Sequence, residues 1–248
     1  MRITVNLTAD KEITLPQHYN HIVQGFIYRQ ITDKDYRDFL HNQGYKYGSR
    51  SFKLFTFSKL LGDITVDRDK KVVTFASPVR LVISSPVEKF ITDVAETLIR
   101  GGVKVLGNNL VEVEGIKVHR EPDFRDKVLV KMLSPVVAYS TEINAERKKT
   151  RYYSPWEEKF TALINQNLHK KFEIINREKC ADEIEVIPVG NGGDKFSRII
   201  YYKNFIVKGY DGDYWLRGNP ELIKIAYNTG LGSKNSQGFG CFEIKEGR

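Results

Sequence analysis

Cysteine is scarce in this sequence, and long apolar runs are missing. The two cysteines, Cys180 and Cys241, stand far apart and belong to no Cys-x-x-Cys or Cys/His spacing, which argues against a zinc site. No apolar stretch approaches the length of a membrane span. Residues 1–15 alternate like a strand and do not resemble a cleavable signal peptide. These absences predict a cytoplasmic protein with no membrane segment.

Positive charge is in excess. The chain carries 39 lysines and arginines against 31 aspartates and glutamates, a formal net charge of +8. Such an excess favours a polyanionic partner, because neutralised phosphates release their counterions. Composition alone puts a nucleic acid only slightly ahead of an anionic surface or of no special partner. The hydrophobic share of 41% is typical of a soluble protein with a core.

The first half of the chain alternates strand-like and helix-like segments. Helices are predicted from Tyr19, over 32–40, and after a capping box at 85–88 with proline at its first helical position. β-Branched and aromatic residues indicate strands at 3–7, 53–57, 72–75, 79–83 and 103–118. Apart from the short helix, this is the β-α-β-β-α-β order of a ferredoxin-like unit.

The second half repeats this order. A second capping box at 154–157 opens a long helix, and Asn219 caps a shorter one that ends at Gly230. Strands are predicted at 128–139, 184–189, 199–202, 205–216 and 238–245. The charged, proline-broken stretch 119–123 is the expected boundary. The sequence therefore predicts an α+β protein of two tandem ferredoxin-like (RRM-like, βαββαβ) domains, residues 1–122 and 123–248.

Four glycines fall within the eleven residues 230–240, between the last helix and the last strand. Glycine permits positive φ and close backbone approach, so such a loop can surround a phosphate. A helix cap and a tight turn would explain one or two glycines, but not four. No Gly-Lys-Ser/Thr closes the loop, so it is not a nucleotide P-loop. The residues predicted to form this phosphate-binding loop are Gly230, Gly232, Ser233, Lys234, Asn235, Gly238, Phe239 and Gly240.

This loop reads G-x-G-x5-G-F-G, with lysine and asparagine in the gap. The string resembles the signature of the RAMP superfamily of CRISPR-associated RNA-binding proteins. Residues 19–28 and 53–58 resemble the CRISPR repeat-processing endoribonucleases within it. Members of that family fold as two ferredoxin-like domains. The resemblance implies a catalytic site of Tyr28, His41 and Lys53, with no metal ion and no other cofactor.

RNA carries its own nucleophile, the 2′-hydroxyl, so a base, an acid and charge stabilisation suffice to cleave it. Histidine suits proton transfer near neutral pH, although an exposed His41 at a helix end has a purely electrostatic explanation as well. Tyr28 shares a polar stripe with His21 and Gln24, which could face RNA or a domain edge. Lys53 would stabilise the phosphorane, or simply cover apolar surface with its stem. Which residue is acid and which is base stays open.

Other charged clusters have two explanations each. Lys46 and Arg50, in the basic loop between His41 and Lys53, are expected to contact RNA. The run of Arg147, Lys148, Lys149 and Arg151 precedes two tyrosines and suits a backbone track with base stacking, or a solvated charge run. Asp33, Asp35 and Asp38 could bind a metal, but helix capping explains them better.

Two main hypotheses follow. The first is an endoribonuclease that cuts CRISPR repeat RNA and leaves a 2′,3′-cyclic phosphate or 3′-phosphate with a 5′-hydroxyl. The second is a non-catalytic RAMP-type subunit of a CRISPR effector complex. A metal-dependent nuclease is a weaker third. RNA is the expected partner, while other effector subunits and a homodimer are left open.

Overall fold

Helices and strands alternate along the chain in two successive series. The computed structural model describes residues 1–144 and 147–245, except for the side chains at 143, 144, 147, 148 and 194. The first series comprises β1 Arg2–Thr8, β2 Ile13–Pro16, α1 Asn20–Arg29, α2 Lys34–Asp38, β3 Tyr45–Tyr47, β4 Arg50–Phe52, β5 Thr56–Phe57, β6 Ile64–Asp67, β7 Val72–Phe75, β8 Val79–Ser84, α3 Glu88–Ile99, β9 Lys104–Leu106 and β10 Asn109–His119.

The second series is shorter and contains the longest helix. It comprises β11 Lys127–Met132, β12 Tyr139–Asn144, β13 Arg147–Tyr152, α4 Glu158–Asn176, β14 Ile184–Pro188, β15 Ser197–Tyr202, β16 Phe205–Tyr210, β17 Asp213–Gly218, α5 Pro220–Thr229 and β18 Phe242–Ile244. No helix in the part of the chain that the structure describes combines the length and the apolar character needed to cross a membrane.

Each half forms one main antiparallel sheet. The orders are β5-β8-β1-β10-β9 in the first half and β14-β17-β11-β18 in the second. The four core strands, in chain order, are β1, β5, β8 and β10 in the first half and β11, β14, β17 and β18 in the second. In both sheets the first of these strands lies between the third and the fourth, and the second lies on the other side of the third, which is the ferredoxin-like order. The prediction of two tandem ferredoxin-like folds is confirmed. Smaller sheets pair β2-β7-β6, β3-β4, β12-β13 and β15-β16.

Helices cover one face of each sheet. In the first half, the alternating Ile3, Val5 and Leu7 of β1 pack against the apolar sides of α1 and α3. The apolar stripe of α3 is buried: Phe90, Ile91, Val94 and Leu98. In the second half, Phe160, Ile164 and Leu168 of α4 are likewise fully buried beneath β11 and α5. Periods of two and of 3.6 residues therefore identified both cores correctly.

Several predicted elements are shorter than expected. The strand at 53–57 reduces to β5, because Leu54 has a φ of 53°, in the left-handed region. The helix at 32–40 stops at Asp38 and continues as a π-helical turn, Phe39–Gln43. The strand at 128–139 ends at Met132, and the last strand begins only at Phe242. In each case the sequence pattern continues past the residue at which the regular backbone conformation ends.

Other elements were missed or divided. The loop predicted between residues 41 and 51 contains the β3–β4 hairpin, and strands β2 and β6 were not predicted. The strand at 205–216 is two strands, β16 and β17, with a turn between them. At the predicted box of 154–157 the Glu157 carboxylate does accept the Ser154 N–H at 2.6 Å, as a capping box requires. At 85–88 the helix begins later, and Ser85 Oγ accepts from Val87 N–H at 3.0 Å.

Polar contacts join the two halves. The Arg2 guanidinium donates to the carbonyls of Tyr227 and Phe242, each at 2.7 Å. It also lies over the Tyr227 ring, 3.4 Å from the centroid. Lys59 of the first half pairs with Asp211 of the second at 2.8 Å. These buried and half-buried contacts hold the two ferredoxin-like units in one arrangement.

Candidate active site

Tyr28, His41 and Lys53 lie together at the edge of the first half. Tyr28 is near the end of α1, His41 is in the π-helical turn, and Lys53 follows β4. The rings of Tyr28 and His41 meet edge to face, with centroids 5.9 Å apart. The Lys53 ammonium donates a hydrogen bond to the His41 carbonyl at 3.2 Å. The three residues named from the sequence are therefore neighbours in the folded chain.

The His41 imidazole is exposed, and the next side chain orients it. Its Nδ1 lies 2.8 Å from Oδ1 of Asn42. An amide oxygen only accepts hydrogen bonds, so Nδ1 carries the proton in this contact. In the neutral form of the ring, the lone pair is then on Nε2. Asn42 was missed by the sequence analysis, and its only signal there is its position next to His41.

The Tyr28 side chain is half-buried beside His41. Its ring also meets the Phe55 ring edge to face, with centroids 5.8 Å apart. Burial, together with the nearby Tyr202, raises the pKa of the Tyr28 hydroxyl well above its usual value. A hydroxyl with a raised pKa keeps its proton near neutral pH. A protonated Tyr28 hydroxyl can donate a hydrogen bond.

Lys53 links these two rings to a cleft between the halves of the molecule. Burial lowers the pKa of the Lys53 ammonium from its usual value. The cleft has a volume of about 780 Å³. Its polar lining includes Arg50, Ser51 and Lys53 beside β4, Ser140 and Thr141 of β12, Lys159, Gln166, Asn167 and Lys171 of α4, Thr229 of α5, and Ser233, Lys234, Asn235, Ser236 and Gln237 of the glycine-rich loop. A polyanion in this cleft would meet several lysines at once.

The glycine-rich loop turns its glycines toward the protein. A Cβ at Gly238 would lie 2.7 Å from both Asn20 Nδ2 and Phe57 Cε2, and a Cβ at Gly240 would overlap the Leu231 carbonyl. Neighbouring protein atoms therefore already require glycine at these two positions, and the expected phosphate contacts of the loop stay a prediction. The buried members of the predicted RNA-binding set are Gly230, Gly232, Asn235, Gly238, Phe239 and Gly240.

The outer side of the loop is partly exposed and polar. It presents Ser233, Lys234, Ser236 and Gln237 to the cleft. Lys234 Nζ lies 5.1 Å from the centroid of the Tyr139 ring, within the range of a cation–π contact. Burial lowers the pKa of Lys234 as well. Any contact between the loop and a ligand in the cleft therefore goes through this outer side.

The predicted basic clusters lie on two hairpins. Lys46 and Arg50 are exposed on β3–β4, whose Tyr47 hydroxyl donates to the Glu173 carboxylate of α4 at 3.2 Å. The run at 147–151 lies on strand β13. Lys149 and Arg151 are exposed there, and Arg151 pairs with Glu157 at 3.2 Å. The side chains of Arg147 and Lys148 lie outside the described residues.

The polar stripe of α1 faces the second half of the chain. Gln24 Nε2 donates to the Ser236 carbonyl at 2.6 Å, and Gln24 Oε1 accepts from the Tyr202 hydroxyl. The His21 ring meets the Tyr202 ring edge to face, with centroids 6.4 Å apart. Gln24 thus contacts the glycine-rich loop, His21 packs against Tyr202, and the domain-edge explanation of this stripe applies to both.

Asp33, one of the three aspartates near α2, has structural partners. Asp33 caps the helix by accepting the Tyr36 N–H at 2.9 Å, and it pairs with Lys89 at 2.6 Å. These contacts lower the pKa of the Asp33 carboxyl, with the Lys89 hydrogen bond as the largest cause. Among the described residues, no group of three His, Cys, Asp or Glu side chains is placed to hold a metal ion.

Comparisons with known proteins agree over the whole chain. Residues 14–118 match the family model "CRISPR-associated protein Cas6, N-terminal", and residues 119–244 match "CRISPR associated protein Cas6, C-terminal". "CRISPR-associated endoribonuclease Cas6 1" of Methanocaldococcus jannaschii is 30% identical over 97% of this chain and 91% of that protein.

Solved structures give the same result. A structure described as "CRISPR associated protein Cas6" is 27% identical, covers 99% of both chains and has a TM-score of 0.80. A Cas6-related protein from Pyrococcus furiosus, 19% identical, covers 100% of this chain and 99% of that one, with a TM-score of 0.86, and supports the fold. Two family models that together span residues 14–244, and a relative with 30% identity over nearly the full length, show that the chain belongs to the Cas6 family of CRISPR-associated proteins.

Proposed function

We propose that this protein is an endoribonuclease that binds repeat RNA in precursor CRISPR transcripts and cleaves it to give guide RNAs. Its relative from Methanocaldococcus jannaschii is named a CRISPR-associated endoribonuclease. The observation that carries the proposal is the meeting of Tyr28, His41 and Lys53 at the edge of a lysine-lined cleft. A basic cleft suits an RNA backbone, and the three side chains suit proton transfer and charge stabilisation.

The reaction would begin with attack of a 2′-hydroxyl on the adjacent phosphate. His41 Nε2 is the best-placed proton acceptor, because the Asn42 contact leaves its lone pair free. The Lys53 ammonium would stabilise the additional negative charge of the phosphorane. The protonated Tyr28 hydroxyl would donate a hydrogen bond to a phosphate oxygen or to the leaving group. As the bond from the 2′-oxygen to phosphorus forms, the bond to the 5′-oxygen breaks, and that oxygen takes a proton from the His41 imidazolium or from the Tyr28 hydroxyl, which regains one from solvent. The products are a 2′,3′-cyclic phosphate, or the 3′-phosphate from its hydrolysis, and a 5′-hydroxyl.

This route needs no metal ion. The nucleophile belongs to the substrate, and three protein side chains supply the acid, the base and the positive charge. Metal-independent cleavage is therefore part of the proposal.

The cleft also suggests a path for the RNA. Lys46 and Arg50 on one hairpin, and Lys149 and Arg151 on the other, are exposed cations near its two sides. Ser233 and Lys234 of the loop lie at the cleft wall. We assign these side chains to phosphate contacts, and Arg147 and Lys148 to the same track on the strength of the sequence. The domain boundary at residues 122–123 would then separate two roles: the first domain carries the catalytic residues, and the second carries the glycine-rich loop.

A substrate with one changed ribose tests the proposal. Replacing the ribose upstream of the scissile phosphate by deoxyribose removes the nucleophile, so cutting should stop while RNA affinity stays nearly the same. The matched control moves the deoxyribose one nucleotide further upstream and should be cut normally. Normal cutting of the first substrate would mean that water attacks, and the proposed chemistry would be wrong.

A non-catalytic RNA-binding subunit is the competing proposal. It predicts tight binding of repeat RNA without any product, even in long incubations of the parent protein. Contacts with other CRISPR effector subunits, formation of a homodimer and a cytoplasmic location stay predictions of the sequence.

A further inference from the structure

Lys171 is a lysine with almost no contact with solvent. It lies on α4, on the side that packs beneath the glycine-rich loop, and is 2% exposed. Lysine is almost never fully buried unless its ammonium is paired. Burial lowers the pKa of Lys171 to about 7. A charge in such a position requires specific partners, and they are all in one place.

The Lys171 ammonium has three donors and meets three acceptors. Nζ lies 2.7 Å from the Gly230 carbonyl, 3.2 Å from the Gly232 carbonyl and 2.7 Å from Asn235 Oδ1. A lysine ammonium carries three N–H groups and no acceptor, so this set uses every donor. The three acceptors all belong to the glycine-rich loop.

Asn235 extends this contact to the far end of the loop. While its Oδ1 accepts from Lys171, its Nδ2 donates to the carbonyls of Leu231 at 3.2 Å and Phe239 at 3.1 Å. One lysine and one asparagine therefore tie together the two ends of the loop, 230–232 and 239. The loop carbonyls that face the protein accept these hydrogen bonds, and the residues between them, Ser233 and Lys234, point to the cleft.

We propose that Lys171 is a positioning residue for RNA binding: through Asn235 and two loop carbonyls it holds the glycine-rich loop in the shape that places Lys234 in the cleft. This inference rests on the proposed function, in which the outer side of the loop contacts repeat RNA.

Stability alone is a poor reason for a buried ammonium. Desolvating a charge costs free energy, and well-packed apolar residues of similar volume often replace buried ions without loss of stability. An apolar side chain at this position would leave the loop carbonyls without a hydrogen-bond donor, so it would not fix the orientation of the loop. The geometry assigns to Lys171 the conformation of the loop.

The test compares Lys171→Met with a control on the same helix. Asn165 is 2% exposed and exchanges hydrogen bonds with the backbone of Ile184, each at 3.0 Å. Asn165→Leu removes a buried polar side chain from α4 without touching the loop. Lys171→Met should raise the Kd for repeat RNA about tenfold, equivalent to about 1.4 kcal/mol. Asn165→Leu should lower the Tm yet leave the Kd unchanged.

The single-turnover rate separates positioning from catalysis. With enough protein to bind all RNA, Lys171→Met should cleave within about twofold of the parent rate, because the loop acts on affinity. A large loss of rate with unchanged Kd would overturn the proposal.

A double-mutant cycle separates positioning from general destabilisation. Lys234→Ala should weaken binding in the parent background but add little in the Lys171→Met background, because the displaced Lys234 contributes less there. In the Asn165→Leu background, Lys234→Ala should have its full effect. Additive effects of Lys171→Met and Lys234→Ala would overturn the positioning role.

Two results keep this inference apart from the proposed function. If Lys234→Ala leaves the Kd unchanged in the parent protein, the loop does not contact RNA and the proposed RNA path is wrong. If Lys234→Ala weakens binding while Lys171→Met does not, only the role of Lys171 is wrong. Should Lys171→Met fail to fold, Asn235→Ser breaks the same link, and an unchanged Kd in that variant would overturn the inference.

Discussion

The rings of Tyr28 and His41 are almost perpendicular, with planes 80° apart and centroids separated by 5.9 Å. Tyr28 comes from α1, and His41 from the π-helical turn Phe39–Gln43. The contact packs one ring against the other while His41 itself stays exposed. An imidazole held in this way can meet a substrate in the cleft without losing its orientation.

His41→Ala should lower the single-turnover rate of repeat cleavage by about 10² to 10⁴, the usual contribution of a positioned acid or base. The Kd should change little, because the exposed ring makes few contacts that ground-state binding needs. His169→Ala is the matched control, since that ring bonds to the Asp182 backbone, at 2.7 Å. Parent-like cleavage by His41→Ala in single-turnover assays would remove His41 from the catalytic site.

Tyr28→Phe should have the smallest effect of the three catalytic substitutions. The variant loses one hydroxyl donor and keeps the ring that packs against Phe55 and His41. Tyr28→Ala removes that support and should slow cleavage further. Equal rates for the two variants, measured in single turnover, would show that the ring has no role in holding His41.

Lys53 should give the reaction a pH limit on the alkaline side. Its pKa is lowered by burial, so the ammonium is present below that pKa and is lost as the pH rises through it, earlier than for an ordinary lysine. The cleavage rate should therefore fall as the pH rises, with the midpoint of the fall below pH 10.5, the usual pKa of lysine. Lys53→Arg keeps its charge at such pH and should move the decline upward. Lys46→Arg, on an exposed hairpin lysine, should leave the profile unchanged.

Cleavage should continue in excess EDTA. The proposed route uses the substrate's own hydroxyl and three side chains, and none of its steps involves a bound cation. The measurement is the single-turnover rate with and without chelator. Loss of cutting in EDTA, restored by magnesium, would favour a site built from Asp33, Asp35 and Asp38.

The fold could be predicted because its evidence is local. The alternation in β1 and the stripe of α3 identify buried faces without any long-range information. Element limits were less accurate, because they depend on single backbone angles. Nothing in the letters around Leu54 indicates its left-handed φ of 53°, which removes residues 53–55 from the predicted strand.

The residues of the candidate site were predicted from a resemblance, whereas the residues that hold the glycine-rich loop in place were not predicted. Tyr28, His41 and Lys53 match a family pattern, whereas Lys171 looks like any other helix lysine until α4 is packed under the loop. The glycines show the same limit. Their number indicates a special backbone, but only the packed structure shows that Asn20 and Phe57 occupy the space beside Gly238.

The main effect of Gly238→Ala should be on the stability of the folded protein, not on contacts with RNA. The residue has a φ of 85°, and a Cβ would lie 2.7 Å from Asn20 Nδ2 and Phe57 Cε2, at the contact between the two halves. The left-handed backbone costs an L-residue about 1–2 kcal/mol, and overpacking typically adds about 1–3 kcal/mol. Gly102→Ala is the matched control, because Gly102 has a φ of 77° with nothing within 4 Å of the added Cβ. It should lose only the backbone part, so its Tm should stay above that of Gly238→Ala in thermal unfolding. Equal melting temperatures would mean that the loop yields to the methyl group, and the space beside Gly238 would then be available to a ligand after all.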